Sequence, residues 1–453
     1  MTSLDAYTLT LSEASRRIHS NALSPSELLT SLLHRIDALE PHLKAWVRID
    51  REGAMATAET YSQEAAEGRL RGPLHGIPVG VKDIFYTKGM PTEAGSKLLA
   101  GFVPHFDATA VAKLRAAGAI LLGKTETTEF ACFDPAPTRN PWNLEHTPGG
   151  SSSGSAAAVS SGMCSAALGS QTGGSVIRPA AYCAVIGLKP TYGRISRYGV
   201  YPVSWCLDHV GVFTRTVEDA AILLEVLAGH DPRDPTSSTL PVPPYTKALS
   251  RISPPRVGLL KEFFTENASE EVRQNVAETA EALRNAGAQV VETKLPTSFS
   301  AVHAAHRILM ITEAAAVHKE AFQTRMMEYR PNLRRMIASG LLVSASTYLK
   351  AQQIRSHFIR EVAESFDGFD CLLTPATPTP APKGLKSTGD PAFNSPWSFC
   401  GFPSLTVPSG LSSDGLPVGI QLVGRPFDEE RLLRAACWCE RVIGFGDAPH
   451  DLD

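Results

Sequence analysis

Residues 146–190, HTPGGSSSGSAAAVSSGMCSAALGSQTGGSVIRPAAYCAVIGLKP, restrict the fold more than any other part of the chain. Glycine and hydroxyl side chains crowd this stretch, a composition that usually marks a flexible linker. A linker has no use for Val159, Met163, Leu168, Val176, Ile177, Val185, Ile186 and Leu188, which ask to be buried. The stretch divides into a Gly-Gly-Ser-Ser-Ser-Gly-Ser turn, a small-residue segment at 156–168, and a second Gly-Gly-Ser turn at 173–175. A glycine pair ahead of a serine leaves backbone N–H groups open beside a hydroxyl. The stretch therefore reads as a folded site.

The 453-residue chain is 43% hydrophobic and 20% charged, ordinary values for a globular protein that can bury a large core. Its net charge of −3 offers no bulk attraction for nucleic acid or an anionic membrane, so neither is expected as a partner. No run has the length and apolarity of a signal sequence or a membrane span, which points to the cytoplasm. Eight cysteines are too sparse for a disulfide framework. Cys437 and Cys439 form a C-x-C inside a helical pattern with no second pair at zinc spacing, and are expected to be reduced, buried thiols.

Helix and strand signals alternate along the chain. Leu11, Ala14 and Ile18, then Leu28, Leu29, Leu32, Leu33 and Ile36, recur at helical spacing, and Ser24, Pro25 and Glu27 open the second helix. Further helices are predicted near 51–67, 108–117, 216–228, 269–286 and 428–443, and 127–131 is predicted to open another. Residues 300–365 are almost wholly helical in pattern. Short apolar runs at 77–81, 119–122, 256–260, 289–292, 371–374, 405–407 and 419–423 read as strands. The pattern implies an α/β fold with a sheet covered on both faces. The Pro-rich segment 231–255 offers the best internal boundary, though it is short and apolar for a domain linker.

Two familiar motifs match in letters only. Gly118 to Thr125, GAILLGKT, fits the phosphate-binding G-x-x-x-x-G-K-T pattern, but its middle residues are a strand rather than an open loop. Gly150 to Gly154, GSSSG, fits the G-x-S-x-G elbow of Ser-His-Asp esterases, yet no strand precedes it. The late histidines such an elbow would need (His303, His306, His318, His357, His450) stand in no distinctive setting.

Lys82 is more informative. It follows the apolar run 77–81, and the end of a buried strand is where desolvation can depress a lysine pKa far enough to make it a base. A serine hydroxyl needs such a base before it becomes a nucleophile. Taken alone, Lys82 reads more simply as a strand-end lysine, exposed or paired with Asp83.

The segments GGSSSGSAAAV, ALGSQTGGSVIRPAAYCAVIGLKPTYGRIS, GPLHGIPVGVKDIF, GAILLGKTETTEFA, RNPWN, LDHVGVFTRTVEDAA, LLTPATPTPAP and GLPVGIQLVGRPFDEERLL occur in one chain. Together they resemble the amidase signature family, serine hydrolases built on a Ser–cis-Ser–Lys triad, and the similarity covers nearly the whole chain. The resemblance implies one domain built on a single large mixed β-sheet with helices on both faces. It implies Ser175 as nucleophile, Ser151 as the bridging serine after a cis Gly150–Ser151 peptide, and Lys82 as base. The N–H groups of Thr172, Gly173, Gly174 and Ser175 would form the oxyanion hole. No metal or organic cofactor is implied. Ser152, Ser153 and Ser155 are expected to serve the turn rather than the chemistry.

Many family members, tRNA-dependent amidotransferase subunits among them, carry aspartate before TGGS and arginine two residues after the nucleophile. This chain has Gln171, and its arginine, Arg178, lies three residues on. That form is similar to stand-alone hydrolases such as malonamidase, with aryl acylamidases and urethanases in the same branch. The resemblance therefore implies hydrolysis of a small-molecule amide or carbamate, with Gln171 and Arg178 binding substrate, no nucleic acid, and a homodimer left open. The alternative is one subunit of a glutamine amidotransferase that acts with partner proteins on tRNA. Arg178 suits a substrate carboxylate or an internal acidic side chain equally. Helices within 300–350, carrying Met310, Met326, Met327, Tyr329 and Tyr348, are expected to wall the pocket.

Overall fold

A computed structural model describes residues 3–449. One sheet runs through it. In chain order its strands are β1 (Trp46–Ile49), β2 (Pro78–Lys82), β3 (Ile120–Thr125), β4 (Ala166–Gln171), β5 (Ile186–Lys189), β6 (His209–Thr214), β7 (Arg256–Leu260), β8 (Gln289–Thr293), β9 (Cys371–Pro375), β10 (Ser404–Leu411) and β11 (Pro417–Val423). The eleven strands lie in the order β1-β3-β2-β4-β6-β5-β10-β11-β9-β7-β8. β2 pairs in parallel with β3 and β4, as β7 does with β8 and β9, and the remaining ladders are antiparallel. The sheet is thus single, large and mixed.

Alternate residues of the central strands enter opposite cores. Val79, Val81, Leu121, Leu168 and Val212 pack on one face, where the helices Leu11–His19, Val217–Leu227 and Glu429–Ile443 lie. Ile120, Leu122, Ala167 and Phe213 pack on the other, against the helices Arg51–Ala66 and α1 (Ser153–Ser160). With helices on both faces every position of β2, β3 and β4 is buried, which is why these strands read as continuous rather than alternating runs. Four further helices matter for the site: α2 (Ile177–Tyr182), α3 (Phe299–Arg325), α4 (Pro331–Leu341) and α5 (Ala345–Glu364). With α6 (Ser395–Cys400) they complete the helical side, and α3 packs against α4, α5 and α6.

The small-residue segment divides into a helix and a strand, α1 and β4. Tight packing explains its composition. A Cβ on Gly154 would run into the Ala45 carbonyl oxygen and the Glu126 amide. Gly154→Ala is therefore expected to destabilise the fold by about 1–3 kcal/mol, the usual range for overpacking, measured by denaturant unfolding.

Residues 127–131 depart from expectation. Only a single turn, Glu129–Ala131, forms there, because Phe130 takes a left-handed conformation with φ 47° and ψ 36° that stops helix propagation. Lys124 of the phosphate-loop match lies inside β3, donates to Thr92 Oγ1 at 2.9 Å and to the Phe85 carbonyl, and pairs with Asp83 at 3.6 Å. Cys437 and Cys439 are free and buried in the helix Glu429–Ile443. Among the described residues no helix is long and apolar enough to cross a membrane.

Candidate active site

Because β2 and β4 are parallel neighbours, their C-terminal ends meet at one edge of the sheet. Val81 pairs with Leu168, so Lys82, the last residue of β2, comes beside Gly169 and Ser170. Lys82 Nζ lies 2.7 Å from Ser151 Oγ, 2.8 Å from Ser170 Oγ and 3.0 Å from Ser152 Oγ. A Cβ on Gly169 would run into the Phe213 ring and sit 3.0 Å from Ser152 Oγ, so glycine is what fits beside both.

Lys82 is fully buried, and no carboxylate forms an ion pair with it among the described residues. Burial pushes its pKa down to about 7, opposed in part by the negative charge of Asp208. As an ammonium, Lys82 places its three N–H bonds on three hydroxyls. As an amine it has a lone pair available to the nearest of them, that of Ser151. The peptide before that serine, Gly150–Ser151, is cis, as the family resemblance implied.

Ser151 and Ser175 line one cavity of about 440 Å³, together with Thr172, Gly173, Gly174 and Arg178. The loop at 172–175 is held by its carbonyls. His306 Nε2 donates to Thr172 O at 3.0 Å, Ser398 Oγ donates to Gly173 O at 2.9 Å, and the Arg178 amide donates to Gly174 O at 2.9 Å. The amides of Gly173, Gly174 and Ser175 find no acceptor among the described residues. That is the polarity an oxyanion site needs: acceptors tied down, donors free.

The two residues expected to bind substrate have different positions. Gln171 is fully buried and does not line the cavity. Its Oε1 accepts the amides of Val176 and Ile177 at 2.9 and 3.0 Å, and its Nε2 donates to Ser398 Oγ at 3.0 Å. Gln171 thus shapes the loop that carries Ser175 and does not reach the cavity. Arg178 does line the cavity. Its NH2 donates to Gly150 O at 2.7 Å and Thr388 Oγ1 at 3.1 Å, whereas among the described residues its buried Nε and NH1 have no partner and no acidic side chain forms an ion pair with it.

Of the expected pocket walls only Met310 lines the cavity, joined by His303, His306 and Arg307 from the same helix, α3. Met327 is 74% exposed, Tyr329 packs against His318, and Tyr348 donates to Glu313 Oε1 at 2.7 Å. Ser152 meets Lys82 and Ser170 but none of the late histidines, which leaves the esterase elbow without a base; His450 lies outside the described residues. The sequence does not single out Ser170, Asp208 or Ser398, and offers His306 only as a late histidine without a distinctive setting, because each reaches the site through chain-distant contacts that no local pattern encodes. No cluster of His, Cys, Asp or Glu among the described residues is placed to hold a metal ion.

The amidase family model matches residues 27–433. A glutamyl-tRNA(Gln) amidotransferase subunit from Geobacter metallireducens is 41% identical over 470 residues, covering 96% of this chain and 97% of its own length. The corresponding subunit from Chloroflexus aggregans is 40% identical over 485 residues, covering 99% of both chains. Among solved structures, the peptide amidase of Stenotrophomonas maltophilia aligns with a TM-score of 0.87 and 31% identity, over 99% of this chain and 100% of that one. The curated relatives overturn two expectations, stand-alone hydrolysis of a small amide or carbamate and the absence of any nucleic-acid partner. A kinship to malonamidases, aryl acylamidases or urethanases gains no support from them. The structure supplies a physical reason. Glutamine in place of aspartate before TGGS had suggested a different substrate, yet Gln171 Oε1 accepts two loop amides, a task a carboxylate oxygen performs equally well.

Proposed function

Since this chain belongs to the amidase family, we propose that it is the amide-hydrolysing component of an amidotransferase that works with partner proteins on glutamyl-tRNA(Gln), taking nitrogen from glutamine. The observation that carries this reading is Arg178. Its unpartnered Nε and NH1 belong to a side chain that lines the cavity holding Ser151 and Ser175. With NH2 held by Gly150 and Thr388, the unpartnered NH1 offers a charged donor to the α-carboxylate of an amino acid. Asp390 lines the same cavity and suits the α-ammonium group. Glutamine bound between them would send its side-chain amide toward Ser175.

The chemistry follows from the proton inventory. Neutral Lys82 takes the Ser151 proton while Ser151 takes that of Ser175, and Ser175 Oγ bonds to the amide carbon. The carbonyl oxygen gains negative charge opposite the free amides of Gly173, Gly174 and Ser175. On collapse the C–N bond breaks, Ser151 returns a proton to the nitrogen, and ammonia leaves. Water then cleaves the glutamyl ester of Ser175 to give glutamate.

The test is amidation of Glu-tRNA(Gln) by the chain co-expressed with its partner proteins. Glutamine-dependent formation of Gln-tRNA(Gln) supports the reading. Hydrolysis of small amides or carbamates by the chain alone, with no use of glutamine, would sink it. Arg178→Met is expected to raise KM for glutamine by about 10–100-fold with a smaller change in kcat, the worth of a lost charge-assisted hydrogen bond. Arg178→Lys keeps the charge without the fork and should fall between, in steady-state kinetics.

A further inference from the structure

The triad accounts for proton transfer but leaves open what keeps three successive amides turned toward one point. Glycines at 173 and 174 permit that arrangement and, having the widest conformational freedom, do not enforce it. Within a trans peptide the C=O and N–H point in opposite directions, so fixing a carbonyl fixes the amide that follows. The Gly174 carbonyl is fixed from the nearby helix, by the amide of Arg178 in the first turn of α2. The Gly173 carbonyl is fixed by Ser398, itself held by Gln171. The Thr172 carbonyl, which sets the Gly173 amide, is fixed by His306 of α3.

We propose that His306 is the positioning residue of the oxyanion loop, acting through the Thr172 carbonyl. A carbonyl oxygen can only accept, so at 3.0 Å His306 Nε2 carries the proton. The ring is 5% exposed. The same threonine is held a second time, since its Oγ1 donates to Asp208 Oδ1 at 2.6 Å. Asp208 Oδ2 in turn accepts the amides of Val203 and Ser204 at 2.8 and 3.0 Å. That loop returns to α3, where Glu313 Oε2 accepts from Ser204 Oγ at 2.6 Å and from the Cys206 amide at 3.0 Å. Thr172 is therefore gripped at its carbonyl and at its hydroxyl by two routes that both end on α3. The helical side of the molecule, besides walling the cavity, sets the geometry of the oxyanion donors.

This inference rests on Ser175 being the nucleophile, and its test is separable from the identity of the amide. The variants are His306→Phe, which keeps a ring of similar size without a donor, and His306→Gln, whose Nε2 restores one. The first readout is the rate at which a fluorophosphonate labels Ser175, a reaction that needs the oxyanion donors but no glutamine. The second is the split between kcat and KM for glutamine in the partner complex. His306→Phe is expected to slow labelling and lower kcat by about 10–100-fold, with KM changed less than about twofold. That is less than the loss of about 100–1,000-fold when an oxyanion donor is removed outright, because here the donor is misplaced rather than removed. His306→Gln should recover most of both. Wild-type labelling and kcat in His306→Phe would overturn the assignment. So would equal impairment of the two variants, which marks packing, or a rise in KM alone, which marks a direct substrate contact. If wild-type Ser175 labels but glutamine is not turned over, the glutamine reading fails while the labelling comparison still decides the role of His306.

Discussion

Replacing Ser175 with alanine is expected to lower glutamine hydrolysis by about 10⁴–10⁶-fold, the loss seen when the nucleophile of a serine hydrolase is removed. The structure makes this substitution clean. Ser175 Oγ makes no hydrogen bond to another described residue, so its removal leaves no buried partner unsatisfied. The loop carbonyls stay held by His306, Ser398 and the Arg178 amide, none of which touches that hydroxyl. Unfolding transitions of Ser175→Ala should therefore match the parent chain, and glutamine should still bind. Residual turnover within about tenfold of the parent would show that another serine attacks, with Ser151 and Ser152 as the neighbours to suspect.

Replacing Lys82 with alanine is expected to cost about 10³-fold or more near neutral pH, the upper range for a general base. Its pH dependence carries more information than its size. As the proposed base Lys82 would work as the amine, and burial brings its pKa to about 7. Below pH 7 the ammonium dominates, and the parent rate should fall about tenfold per pH unit; above pH 7 it should level off. In Lys82→Ala that inflection should vanish, and the rate should climb steadily with pH as hydroxide replaces the missing amine. A parent profile that is flat from about pH 5 to 8, or a Lys82→Ala profile that keeps an inflection near 7, would assign the base elsewhere. The measurement is kcat/KM for glutamine across pH in both chains.

Much of this site was legible in the sequence because its parts are short, ordered motifs. Lys82 closes a run of buried residues, and each of Ser151 and Ser175 follows a glycine pair. The sheet was harder. β4 reads AALGSQ, with no β-branched or aromatic residue, and it becomes a strand only because β2 and β6 flank it. β1, β5 and β6 were missed as well: WVRI and IGLK are only four residues long, and glycine and histidine interrupt the apolar pattern of HVGVFT. The helix expected at 127–131 failed at Phe130, whose left-handed backbone no local propensity reveals. Within the site, Gln171 shows why chain position is a poor guide to role. It precedes the nucleophile loop by one residue, yet its side chain turns inward to two amides and Ser398. Arg178 was left evenly divided between substrate and an internal acid, and among the described residues no acidic side chain forms an ion pair with it.

The central claim is that Ser175 carries the acyl group of glutamine. It is tested most directly by mixing the partner complex with glutamine, quenching in acid over a series of short times, and sequencing the peptides spanning 146–190 by mass spectrometry. The expected product is a glutamyl ester on Ser175, lost in Ser175→Ala. The claim is contradicted by an ester on Ser151 or Ser152, or by glutamine turnover with all three serines unmodified at every quench time.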